Sequence, residues 1–92
     1  MANEQNPPSS SVYEIAAILL DQLAEVAWSK LGLRPDMMSG KIETNLEEAK
    51  VAIDIVAYLA STVDAQLDED DKRRVQSLVR DLKINFVQKS QA

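Results

Sequence analysis

Apolar residues recur along the chain at helical intervals in three stretches, separated by one long loop and one short turn. The first stretch runs from Val12 to Leu31. Ser11 and Glu14 form a capping box at its start, and Gly32 supplies a stop at its end. Laid out at about 100° per residue, Glu14, Asp21, Gln22, Glu25 and Ser29 share one arc with Ile18. Apart from Lys30, the rest of the circumference is apolar, over about 220°. A surface helix needs a stripe only a little over 100° wide. The first helix is therefore expected to be central and to carry more apolar surface than two neighbours can cover.

The second stretch spans Leu46 to Val63. Asn45 is its expected cap, with Glu48 three positions on. Leu46, Ala49, Ile53, Val56, Ala60 and Val63 follow heptad spacing, the pattern of a helix lying along a partner. The third stretch runs from Glu69 to Gln88, capped by Asp68, with Glu69, Asp70 and Asp71 in the first turn where negative charge suits the dipole. Val75, Leu78, Val79, Leu82 and Phe86 make a stripe of about 100°, so this helix is expected at the periphery. Its segment Leu82-Lys83-Ile84-Asn85-Phe86 also alternates like a strand. The unbroken helical pattern upstream favours helix. Residues 33–44 form a loop punctuated by Pro35 and Gly40, in which Met37, Met38 and Ile42 are expected to act as anchors.

The expected fold is all-α. The second and third helices form an antiparallel hairpin, and the first packs across both. Residues 1–10, polar and carrying Pro7-Pro8, read as a disordered tail. Residues 11–89 read as one domain and 90–92 as a frayed end. At 92 residues, the chain buries only about 60% of its unfolded surface, so its core is limited. The N-terminus lacks the basic and apolar regions of a signal peptide, and no apolar run reaches the ~20 residues of a membrane span. A cytoplasmic, membrane-free protein is the expectation.

The order of these residues resembles a family. Leu31-Gly32-Leu33, Pro35 and Gly40-Lys41-Ile42-Glu43 precede Leu46. Ala49-Lys50, Ala52-Ile53-Asp54 and Leu67-Asp68-Glu69 follow. Asp81-Leu82 and Asn85-Phe86-Val87 complete the series. In these features the chain is similar to the bacterial family catalogued as domain of unknown function 1844, over roughly residues 11 to 89. The resemblance implies a small, helical, bacterial protein. It implies no activity and no catalytic residue.

Composition narrows the chemistry. The chain has no Cys and no His. That removes disulfides, Cys/His zinc sites, a thiol nucleophile and an imidazole base. No cofactor motif is present. The acidic cluster Asp64, Asp68, Glu69, Asp70, Asp71 lacks the glycine and the twelfth-position Glu of a calcium loop, so helix capping explains it better. Ser39-Gly40-Lys41 lacks the first Gly, the following Ser/Thr and the strand of a phosphate loop, and Gly40 reads as a turn residue of positive φ. Carboxylate pairs on the polar face of the first helix read as solvated. An enzyme is the weakest reading.

The net charge is −5, which opposes general binding to nucleic acid. It is unevenly distributed, with six basic and one acidic residue from position 72 onward. Lys72, Arg73, Arg80 and Lys83 share one arc of the third helix, in or beside which lie Ile84 and Val87. That mixture suggests a contact surface for a second copy or another acidic protein. A regulatory RNA-associated role through the same arc is the first alternative, with the acidic remainder of the chain against it. The leading expectation is a non-enzymatic interaction module that forms a homodimer through the first helix. Its edge Ala17, Leu20, Ala24, Trp28 is expected to face the partner, with Ile15, Leu19 and Val26 facing the chain's own helices. Trp28 also fits a plain core-edge role.

Overall fold

The structure, a computed structural model, describes residues 11–91. The polar tail expected at 1–10 and the terminal Ala92 lie outside them. Three helices follow in order: α1 (Val12–Lys30), α2 (Leu46–Val63) and α3 (Glu69–Gln91), with a 3₁₀ turn at Asp64–Gln66 before α3. The caps set the starts as their chemistry requires. The Ser11–Glu14 capping box is formed. The Asn45 side chain accepts from the Glu48 N–H at 3.1 Å, and Asp68 accepts from the Asp71 N–H at 2.8 Å. α3 is helical through Leu82–Phe86 and continues to Gln91, beyond the expected end at Gln88. No Gly or Pro follows Gln88 to stop it, and Lys89 sits where a cation favours the C-terminal dipole.

α1 and α2 form an antiparallel pair, tied where they join. The Asn45 N–H donates to the Lys30 carbonyl at 2.8 Å, and Leu31 and Thr44 form an isolated antiparallel bridge. The seam between them is lined with small residues. Ala16, Ala24 and Ala27 of α1 share one buried cluster with Ala49 and Ala52 of α2, and Leu20, Leu31, Ile53 and Val56 fill it out. α3 runs antiparallel to α2. Residues 75–80 lie beside 60–64, and residues 83–87 beside 50–54. Val75 and Leu82 seal it, flanked by the partly buried Leu78, Val79 and Phe86. α1 touches both other helices, along its length with α2 and sparsely with α3.

The result is a thin core. Its largest fully buried side chains are Leu20, Leu31, Leu82, Val56 and Val63; no aromatic ring is among them. The radius of gyration is 15.9 Å, against about 12 Å for a compact domain of this length.

The loop departs from expectation. Met37, Met38 and Ile42 are exposed, Met38 by 96%. Backbone caps hold the loop in place of apolar anchors. Asp36 accepts from the Met38 and Ser39 N–H groups at 2.8 and 2.9 Å, and the Gly40 N–H donates to the Asp36 carbonyl. Gly32 and Gly40 both take positive φ, 78° and 72°. A Cβ on Gly32 would lie 2.3 Å from Thr44 Oγ1, whereas one on Gly40 meets nothing within 4 Å. Gly32→Ala therefore adds a clash at the α1–α2 junction to the backbone strain. It is expected to cost about 2–3 kcal/mol, and Gly40→Ala about 1 kcal/mol. Chemical denaturation of the two variants checks this order; equal losses would contradict it.

Candidate functional site

Leu20 and Ala24, expected at an intersubunit edge, are 1% and 3% exposed within the chain's own core. That expectation is corrected. Leu20, Ala24, Ala27 and Leu31 stand at intervals of 4, 3 and 4 and form the stripe that packs against α2. Ala17 is half-buried beside them. Trp28 is partly buried against the core, and its ring is covered by the Arg34 guanidinium, 6.0 Å from the centroid. It is a core-edge residue.

The uncovered surface is the other edge of α1. Val12, Ile15 and Leu19 are exposed and Val26 half-buried. With Gln22 they are spaced 3, 4, 3, 4, a heptad strip interrupted by one polar residue. Ile18 widens it. On α2 a second strip, Val51, Ile55, Tyr58 and Thr62, repeats at 4, 3, 4 and is also exposed, Tyr58 by 70%. At 100° per residue the α1 strip is centred about 120–130° to one side of its α2-facing stripe. Asp21, which pairs with Arg74 of α3, lies to the other side. The α2 strip lies likewise on the side away from Ile53 and Ala60, which line the α3 seam. Both strips therefore open on the face of the α1–α2 hairpin opposite α3. Gln22 and Val26 continue into a groove of about 650 Å³ shared with Arg34, Pro35 and Met37.

Val51, Ile55 and Tyr58 were not singled out in the sequence, although their spacing is legible there. α2 carries two apolar periods, and the stronger one masks the weaker.

The charged residues are placed as follows. Asp21 pairs with Arg74 at 3.3 Å and Glu25 with Arg34, both within the chain. On α3, half-buried Lys72 approaches Glu69 at 3.9 Å. Arg73 pairs with Asp70 at 2.5 Å and Arg80 with Asp81 at 3.5 Å. Each of these last three partners is a near neighbour on the same helix. Ile84 and Val87 are exposed beside them. Within the acidic cluster Asp68 caps α3, and Glu69, Asp70 and Asp71 pair with Lys72, Arg73 and Arg74. Among the described residues no three His, Cys, Asp or Glu side chains come together as a metal-ligand set.

Electrostatics concentrate at the loop, beside the end of the α1 strip. The N–H groups of Ser39 and Met38, with Lys30 adding attraction, hold the Asp36 carboxyl below its ordinary pKa. Lys30 is raised, chiefly by its hydrogen bond to Glu48, with Nζ 3.1 Å from the carboxylate.

The family model described as Domain of unknown function (DUF1844) matches residues 13–88. The chain belongs to this family. The match runs from the first turn of α1 to the last turns of α3, so the DUF1844 region includes nearly all of the three-helix unit and both faces described above. Among curated proteins and solved structures, none matches the chain. No helix among the described residues is long and apolar enough to cross a membrane.

The loop of this DUF1844 chain yields a pH signature. A depressed carboxylate pKa means the cap is fully present above the ordinary carboxylate value and is lost as pH falls through the depressed one. The Met38 and Ser39 amide resonances are expected to titrate with a midpoint below that of a free Asp, and Asp36→Asn should abolish the transition. A midpoint at the ordinary value would contradict the cap.

Proposed function

We propose that the chain is a non-enzymatic, bacterial, cytoplasmic interaction module that works as a homodimer through the outer face of the α1–α2 hairpin. One observation carries the reading: two heptad-spaced apolar strips share a face that α3 leaves open. Seven apolar residues there, Val12, Ile15, Ile18, Leu19, Val51, Ile55 and Tyr58, are exposed by 40 to 73%. That amounts to about 700 Å² per chain, taking about 150–200 Å² for each fully exposed side chain. The largest apolar patch of a typical monomer is about 300–600 Å². Complete coverage of two such faces would bury at most about 1,400 Å², within the usual range for a specific interface.

A two-fold arrangement brings α1 against α1, and Gln22 at the middle of the strip meets its own copy near the axis. A polar residue inside an apolar seam lowers stability but selects one register. The hairpins then form a four-helix layer, with α3 on the outside of each subunit. The carboxylates support a structural role. All but the half-buried Asp36 and Asp64 are exposed among the described residues, and the conspicuous ones cap helices or pair with nearby cations.

Leu19→Lys with Ile55→Lys places charge on the open face without touching the core. In sedimentation equilibrium the unmodified chain is expected at twice its 10.2 kDa mass, and this variant at one chain with its helical circular dichroism intact. Leu20→Lys, inside the chain's own core, is expected to unfold it. A wild-type mass of one chain across the micromolar range would overturn the reading.

A further inference from the structure

The α2–α3 seam forms a second, chemically different surface. Between the helices runs a groove of about 640 Å³ floored by Ala60, Val75, Val79 and Ile84, with Arg80 and Lys83 on its rim. Lys83 also lines two adjoining depressions, one with Ile84 and Val87, the other with Lys50, Ile53 and Phe86. The channel therefore extends from Asp64 to Lys50 along α2, about 20 Å, or roughly four helical turns. Its floor is apolar; Arg80 and Lys83 make its α3 rim basic, while on the α2 side Lys50 is paired with Asp54 at 3.0 Å and Asp64 stands at the end.

We propose that this channel receives an amphipathic helix of another protein, laid in by its apolar stripe with acidic residues on its flank. In helix-in-groove recognition an amphipathic helix lays its apolar face into a hydrophobic groove such as this one. Arg80 and Lys83 stand about one turn apart, so carboxylates three or four residues apart on the incoming helix meet both. Complementary charge of this kind steers encounter and fixes orientation. Asp64, at one end, favours a cation at the corresponding end of the ligand.

A second copy of the chain fits poorly. Asp21 and Glu25 are held in pairs within the chain. This exclusion rests in part on the symmetric pairing proposed above, which occupies the apolar strips. RNA fits less well than a protein. Asp54, Asp64, Asp70 and Asp81 interleave with the cations, and the aromatic ring along the channel, Phe86, is packed against the core instead of standing free to stack a base.

The test uses a displayed library of four-turn amphipathic helices. Their apolar stripe is fixed, and their flanks are randomised among Glu, Gln and Lys. Selection on the full-length wild-type chain is expected to enrich Glu flanks. The best peptide, made synthetically, should perturb the amide resonances of Ala60, Val79 and Ile84. Arg80→Glu with Lys83→Glu should weaken it at least tenfold while helix content stays unchanged. Ile84→Asp should weaken it without altering the rim.

Enrichment of Lys or Gln flanks, no enrichment, resonance changes confined to α1, or an unaltered affinity in the double variant would each overturn the proposal. So would tighter binding in the groove by a peptide of residues 11–31, or by a labelled single-stranded RNA. Oligomer mass is read separately. A monomeric chain that still binds acidic helices in the groove would sink the dimer alone, and a dimer that does not would sink the groove alone.

Discussion

The alanine-lined seam between α1 and α2 is the constraint from which the rest of the molecule follows. Ala16, Ala24 and Ala27 on one helix and Ala49 and Ala52 on the other are all buried. Small side chains permit the two helices to approach closely, but each contributes little apolar area. A buried Leu or Val stabilises by about 1.5–3 kcal/mol, and an alanine methyl by well under that. The hairpin therefore depends on a few large groups, Leu20, Leu31 and Val56 above all. α3 adds Val75 and Leu82 from one side only.

Charge is distributed to match. The acidic residues of α1 are partly satisfied internally, Asp21 by Arg74 and Glu25 by Arg34. Surface pairs of this kind contribute about 0–1 kcal/mol each, so they do little for stability. They do tie α1 to α3 and to the loop. On α3, Lys72, Arg73 and Arg80 pair with neighbours on their own helix, Arg74 reaches Asp21 of α1, and Arg80 and Lys83 stand at the rim of the α2–α3 groove. The two faces thus differ in kind. One is broad and nearly uncharged, suited to a copy of itself; the other is narrow and rimmed with positive charge.

Much of this was legible in the sequence, and the misses have physical causes. Helix starts are encoded locally by Ser11, Asn45 and Asp68, so they were readable. The excess apolar width of α1 was readable too, because periodicity survives without coordinates. Which edge of α1 stays open was not. A helical wheel fixes angles around one axis, but the open edge depends on which side of the hairpin α3 docks, and only tertiary packing settles that. Leu20 and Ala24 were accordingly assigned outward and are buried. The second apolar period of α2, at Val51, Ile55 and Tyr58, was present in the pattern but hidden behind a stronger one. Met37, Met38 and Ile42 misled for another reason. Apolar side chains in a loop suggest anchoring, yet Asp36 caps the turn through backbone N–H groups and leaves them in solvent.

The claim at the centre of this account is that a second copy covers the open face of the α1–α2 hairpin. Isotope-filtered nuclear Overhauser spectroscopy on a mixed sample, half labelled with carbon-13 and half unlabelled, tests it most directly. Intersubunit contacts are predicted from the methyl groups of Ile15, Leu19, Val51 and Ile55. Contacts arising instead from α3, or none at all in a sample concentrated enough to populate an assembly, would contradict it.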